Sequence, residues 1–250
     1  VSFDGALFHS HRAVGLIGDT FSRKSVIEGL PGEAAIGHNR YSTTGASMLR
    51  NVQPLFADFA FGGLAVAHNG NLTNAMLLRQ RLVREGSLFQ STSDTEVIIH
   101  LIARSRRQSI VERVVDALRE VEGAWSLVAV FDGGILGGRD PLGVRPLVLG
   151  LLDGAWIMAS ESCALDILGA EFVRDVEPGE LPQRFAGNHL LGVMHVLHRV
   201  KDLLLRCALD CGHQCASLVC CIVVPWWNRG FVKIGPLVRF SGVGCGMPMS

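Results

Sequence analysis

AWSLVAVFDGGILGGRDPLGVRPLVLGLLDGAWIMAS, residues 124–160, decides the fold class. Four apolar runs succeed one another in it, at 124–131, 135–140, 146–152 and 155–160. Their length and their bounding by Gly, Pro and Asp mark them as strands. Asp132-Gly133-Gly134 and Asp153-Gly154 are turns of the kind that closes hairpins. A parallel pair would need a crossover of a dozen or more residues, usually a helix, and none fits between these runs. The stretch therefore predicts an antiparallel meander.

Upstream, AAIGH (34–38) and GGLAVAH (62–68) read as two further strands. NGNLTNAMLLRQRLVREG then changes to helical spacing, with Leu72, Met76, Leu82 and Val83 expected on one side and Gly86 as the stop. Ser93 with Glu96, and Ser109 with Glu112, each have capping-box spacing ahead of an apolar helix. Downstream, CALDILG predicts a short helix and EFVRDVEPGEL a last strand and turn. Strands, then helices, then a meander indicate an α+β fold with largely antiparallel sheets and argue against a doubly wound parallel sheet.

The chain has 250 residues, 48% of them hydrophobic, and a formal net charge of zero. That balance gives no overall pull toward nucleic acid or an anionic membrane. No apolar run reaches the roughly 20 residues needed to span a bilayer, and VSFDGALFHSHR is unlike a secretory signal. The expectation is a soluble cytoplasmic protein with no nucleic-acid or membrane partner. Cysteine and charge divide the chain. Six of the seven cysteines follow residue 183, and residues 183–250 carry 7 basic against 2 acidic residues. The two stretches read as different kinds of sequence.

Three segments go beyond generic structure. In GHNRYSTTG (37–45) a strand delivers Arg40 to its end, where a guanidinium can clamp a carboxylate; the plain alternative is a surface arginine. In AHNGNLTN (67–74) the Asn69 amide and the Gly70 N–H are two donors side by side, suited to an oxyanion; the alternative is an ordinary Asn-Gly turn. In STSDTE (91–96) Asp94 falls in a helix's first turn, where the macrodipole alone would favour it, or where it can meet a substrate ammonium. Together the three match the carboxylate, the ammonium and the reacting amide of glutamine.

With NVQPLF (51–56) and RDPLGVRPL (139–147), these motifs resemble, in order, the glutaminase domain of glutamine phosphoribosylpyrophosphate amidotransferases. The likeness runs from about residue 3 to residue 181. Glucosamine-6-phosphate synthase glutaminases are similar in layout and rank second. The resemblance implies a four-layer αββα sandwich of the N-terminal-nucleophile type. It implies a mechanism in which a cysteine, first residue of the mature chain, attacks the side-chain amide of glutamine. Carried over, Asn69 and Gly70 form the oxyanion hole, Arg40 holds the substrate carboxylate, Asp94 holds its ammonium, and Tyr41, Thr43 and Ser93 line the pocket. The ammonia released would convert phosphoribosyl pyrophosphate to phosphoribosylamine in purine biosynthesis. The intact family enzyme is expected to be a homo-oligomer that uses magnesium at its phosphoribosyltransferase site. No metal or cofactor is expected in this chain.

The chain also departs from that pattern. Val1 stands at position 1, and the family's opening Cys-Gly strand has no counterpart, so the expectation is a sandwich lacking its first strand and an inactive chain. Cys163 reads as a core cysteine. A glutamine-binding or partner-binding module without catalysis, or a poorly folding product, are the other readings. The division is a glutaminase domain over 1–181 and an irregular, disordered tail over 182–250, which resembles shifted-frame sequence. Within it, Cys207, Cys211, Cys215 and His213 read as an accidental cluster rather than a zinc site, and SLVCCIVVPWW as an aggregation-prone patch.

Overall fold

The structure, a computed structural model, describes residues 1–40, 48–185 and 217–223. The strands are β1 (Ser2–Phe3), β2 (Phe8–His9), β3 (Ala34–Arg40), β4 (Leu55–Phe59), β5 (Gly62–Leu72), β6 (Gly123–Phe131), β7 (Gly134–Arg139), β8 (Val148–Leu152), β9 (Ala155–Ala159), β10 (Glu171–Asp175), β11 (Gln183–Phe185) and β12 (Ser217–Val223). The helices are α1 (Ile17–Phe21), α2 (Lys24–Glu28), α3 (Ala75–Arg84), α4 (Thr95–Arg104), α5 (Ile110–Glu120) and α6 (Cys163–Leu168).

The meander forms as its turns dictate. Asp153 and Gly154 both have positive φ, 52° and 83°, the signature of a type I′ turn, and they join β8 to β9. Asp132-Gly133 joins β6 to β7, with Phe131 paired to Gly134. Two sheets result, one in the order β10-β8-β9-β12-β3-β1-β2, the other β11-β7-β6-β5-β4, and every ladder is antiparallel.

Alternation along the strands sorts their side chains into layers. Ala65 and Ala67 of β5 and Val128 and Val130 of β6 pack with Ile36 of β3 and Met158 of β9, so this core lies between the sheets. Leu64, Val66, Leu127 and Ala129 alternate with them and pack against Leu82, Ile98, Val114 and Leu118 of α3, α4 and α5. Beyond the seven-stranded sheet, Val148, Ile157 and Ala159 meet Ala164, Leu165 and Leu168 of α6. Burying each of the larger side chains is worth about 2 kcal/mol. The α5 stripe Val111, Val114, Val115, Leu118 has the i, i+3, i+4, i+7 spacing of a core-facing helix.

The Ser109–Glu112 capping box forms as expected, with both reciprocal bonds. The Ser93–Glu96 box does not. Asp94 is the N-cap of α4 and accepts the Thr95 N–H, while Glu96 turns back to accept the Gln90 and Ser91 N–H groups at 2.7 Å each. The strand expected over 62–68 runs on to Leu72, because β6 pairs with it through Gly70↔Trp125 and Leu72↔Gly123. The face of α3 is also corrected: Leu78 and Leu82 are buried, whereas Met76 and Val83 are exposed. Cys163 is half-buried at the start of α6. Two strands come from the stretch expected to be irregular: β11 edges the five-stranded sheet beside β7, and β12 lies between β3 and β9. Tyr41, Thr43, Cys207, Cys211, His213 and Cys215 lie outside the described residues.

Candidate active site

The site is built at the far end of β5. Asn69 is 4% exposed and opposes Ser126 of β6 in the ladder. By alternation with Ala65 and Ala67 it faces the space between the sheets. The Ser126 hydroxyl on the same row is fully buried, with no hydrogen-bond partner among the described residues. Gly70 follows with a φ of +142°, and a Cβ placed there would sit 2.1 Å from the Ala124 carbonyl oxygen. Only glycine lets β5 and β6 approach so closely.

Two side chains fix this end of β5 from outside the ladder. Gln53 sits just before β4, at a cis Gln53–Pro54 bond. Its Oε1 accepts the His68 N–H (2.7 Å) and its Nε2 donates to the His68 carbonyl (3.2 Å). The second is Asp94. Its Oδ2 accepts the Leu72 N–H at 3.1 Å, while Oδ1 accepts the Thr95 N–H at 3.0 Å. One carboxylate thus caps α4 and ties it to β5 two residues beyond Gly70. The Asp94 side chain keeps 27% of its surface exposed, so it remains open to a further partner. Buried His68 approaches it, with Nδ1 3.8 Å from Oδ1 and 3.2 Å from the Thr95 hydroxyl.

Ser93 is buried, and its hydroxyl donates to Thr95 Oγ1 (3.1 Å) and accepts the Thr95 N–H (3.3 Å), an occupation within the cap. The loop before it is anchored by Glu96. Burial pushes this carboxyl up, but the Gln90 N–H, the Ser91 hydroxyl and N–H, and the neighbouring His100 outweigh it and hold it below the usual carboxylate range. Arg40 is the last residue of β3, in the facing sheet, where it pairs with Ser217. The structure therefore brings Asn69, Gly70, Ser93 and Asp94 onto one β5–α4 junction and places the backbone of Arg40 at the end of the opposing sheet. Cys163 lies elsewhere, on the outer face of the seven-stranded sheet.

Sequence reasoning assigned no role to Gln53 or Ser126, or to the architecture of RDPLGVRPL. Asp140 of that motif is fully buried and accepts the N–H groups of Trp125, Leu142, Val144 and Arg145 at 3.0–3.3 Å. Arg139 donates to the carbonyls of Gly143, Arg145 and Val176 at 2.7–2.9 Å. An Asp followed closely by Pro and Gly is a turn signal that was available in the sequence. Among the described residues no group of three or more His, Cys, Asp or Glu is placed to hold a metal ion, and no helix is long and apolar enough to cross a membrane.

A buried amide beside a glycine and a half-open carboxylate meet at the β5–α4 junction, and an arginine-bearing strand ends in the facing sheet. Residues 38–166 match the glutamine amidotransferase domain family, and the chain belongs to that family. Within it the chain is homologous to amidophosphoribosyltransferases, enzymes of purine biosynthesis. It is 54% identical over 181 residues to the amidophosphoribosyltransferase of Rhizobium etli, covering 72% of this chain and 36% of the relative. It is 42% identical over 182 residues to that of Bacillus subtilis, covering 72% of this chain and 38% of the relative. It thus spans a little over a third of these relatives' length. A solved structure of the allosteric regulatory enzyme of purine biosynthesis superposes with a TM-score of 0.70 at 40% identity, covering 73% of this chain and 39% of that one. The glutamine PRPP amidotransferase from B. subtilis complexed with ADP and GMP gives a TM-score of 0.69 at 37% identity, covering 77% and 42%.

Proposed function

We propose that this chain comes from the glutaminase part of an amidophosphoribosyltransferase, folded as an αββα sandwich of the N-terminal-nucleophile type, and that as it stands it binds glutamine without hydrolysing it. Two facing sheets with helices packed outside each support that fold. In this reading glutamine lies at the β5–α4 junction. Asp94 receives its ammonium, Arg40 clamps its carboxylate, and its side-chain carbonyl points to the Asn69 amide and the Gly70 N–H. Ser93 contributes to the wall around it, and the family resemblance assigns Tyr41 and Thr43, which lie outside the described residues, to the same wall. In an intact family enzyme, where a cysteine thiolate adds to the amide carbon, the carbonyl oxygen gains charge, and two fixed donors at these positions would stabilise it without reorganising. Losing one of them costs on the order of 3 kcal/mol of barrier. The ammonia released is the nucleophile for phosphoribosyl pyrophosphate, in the cytoplasm and within a homo-oligomer.

The observation that carries the reading is the Asp94–Leu72 bond. It sets the group proposed for the substrate's charge at a fixed place relative to the two proposed oxyanion donors, on one continuous stretch of backbone. Calorimetric titration with L-glutamine tests it. Arg40→Ala and Asp94→Ala should each weaken binding at least tenfold, and D-glutamine should bind no better to the unaltered chain than L-glutamine does to the variants. Undiminished L-glutamine affinity in both variants would remove the site from this junction.

A further inference from the structure

Leu49–Asn51 form a single 3-10 turn ahead of Gln53, with the Asn51 N–H on the Met48 carbonyl (2.9 Å) and the Val52 N–H on the Leu49 carbonyl (3.1 Å). From the end of that turn the Asn51 side chain reaches a partner 41 residues further along the chain. Its Nδ2 donates to the Thr92 hydroxyl at 2.8 Å, and its Oδ1 accepts the Thr92 N–H at 3.0 Å. A carboxamide offers a donor and an acceptor side by side, and two bonds fix orientation where one would leave a pivot. Thr92 stands two residues before Asp94.

Gln53 grips His68 in the same manner, and His68 immediately precedes Asn69. The segment 51–53 therefore holds both walls of the β5–α4 junction, one with each carboxamide. The path of links closes on itself. It runs from Asn51 to Thr92, along the chain to Asp94, and across the Asp94–Leu72 bond. It returns along β5 through Gly70 and Asn69 to His68, and crosses to Gln53. Asn69 and Gly70 are members of this ring. The other bonds to the loop before α4 come from the helical layer. Glu96 of α4 accepts the Gln90 and Ser91 N–H groups, and Arg79 of α3 donates to the Ser91 carbonyl at 2.6 Å. Asn51 instead ties the loop to the segment that enters β4. With the Thr92 bonds removed the ring opens, and the stretch leading into Asp94 loses that tie to the strand side.

We infer, on the reading of Asp94 as the ammonium acceptor, that Asn51 is a positioning residue for the Asp94 carboxylate and sets how strongly the site prefers ligands bearing an α-ammonium group. A charge-assisted hydrogen bond is short and directional, so it weakens when its acceptor is no longer held in place. A ligand with the carboxylate and carboxamide of glutamine but no amino group makes no bond to Asp94 and is insensitive to that displacement.

The test titrates the full chain calorimetrically with L-glutamine and with 4-carbamoylbutanoate, the same molecule without its amino group. The unaltered chain should prefer L-glutamine by about tenfold or more. Asn51→Ala should cut that preference by about threefold or more, through weaker L-glutamine binding with 4-carbamoylbutanoate unchanged. Asn51→Asp keeps acceptors for the Thr92 N–H and hydroxyl and should retain the preference. Asn74→Ala is the matched control. The Asn74 Nδ2 donates to the Glu120 carbonyl at 2.9 Å and its Oδ1 accepts the Glu122 N–H at 3.0 Å, two bonds of the same kind outside the ring. It should leave the preference as it was. An unchanged preference in Asn51→Ala, or an equal fall in Asn74→Ala, overturns the inference. If L-glutamine does not bind the unaltered chain, or Asp94→Ala leaves the preference intact, the glutamine reading fails instead, and hydrogen exchange decides the role of Asn51. The Leu72 and Thr95 amides, both bonded to Asp94, should then exchange faster in Asn51→Ala than in the unaltered chain or in Asn74→Ala. Equal rates overturn the positioning of Asp94 by Asn51 whatever the ligand.

Discussion

Replacing Gly70 with alanine should damage this protein more than the small change in volume suggests. An added Cβ would lie 2.1 Å from the Ala124 carbonyl oxygen and 2.8 Å from the Trp125 Cα, both backbone atoms of the neighbouring strand. It would also hold a residue with a side chain at a φ of +142°. Backbone strain of that kind costs about 2 kcal/mol, and forced separation of packed elements about another 2 kcal/mol. Gly169→Ala is the matched control, since Gly169 also has positive φ (68°) but nothing lies within 4 Å of its Cβ position, leaving about 1 kcal/mol of conformational strain. Urea unfolding followed by far-ultraviolet circular dichroism separates them. With an m-value of about 2 kcal/mol/M, Gly70→Ala should lower the midpoint by about 2 M and Gly169→Ala by about 0.5 M. Equal shifts would mean that β5 and β6 separate freely at this point, and the argument that a close approach fixes Asn69 and Gly70 would fail.

Asp94→Ala should destabilise α4 by about 1 kcal/mol through loss of its cap, whereas Asp94→Asn should keep the cap yet lose glutamine affinity; comparing thermal unfolding with calorimetry distinguishes the two roles. Asp140→Ala strands four backbone N–H groups around a fully buried position, and a loss of about 3 kcal/mol or more is expected by chemical denaturation. Glu96 has its pKa lowered by folding, so the stability it contributes is present above its unfolded value, about 4.3, and is lost as pH falls through the lower folded value. Exchange of the Gln90 and Ser91 amides should therefore accelerate relative to other amides below about pH 4, and Glu96→Gln should abolish that extra acceleration.

What the sequence revealed was mostly local chemistry. The β6–β9 meander is legible because its turns need Asp and Gly where they stand, and the Ser109 cap because both partners lie within one helical turn. Asn69-Gly70 reads as a turn by the same local logic, yet β6 overrides it by continuing to pair through Gly123. The exposed Met76 and Val83 were assigned to the wrong side because α3 is oriented by its packing against α4 and the sheet, not by its own spacing. β12 was unreadable as a central strand, since both its partners lie upstream, one more than fifty residues back and the other nearly two hundred. Asp94 was found as a candidate, but its bond to Leu72 spans 22 residues and no local pattern announces it.

The Gln53 side chain carries one further implication. Its carboxamide gives His68 one donor and one acceptor, the same pair a peptide unit of an adjoining strand would offer. Pro54 cannot provide the donor itself. A side chain thus impersonates backbone where β4 stops short, and an invading chain would have to displace that amide before it could pair at His68.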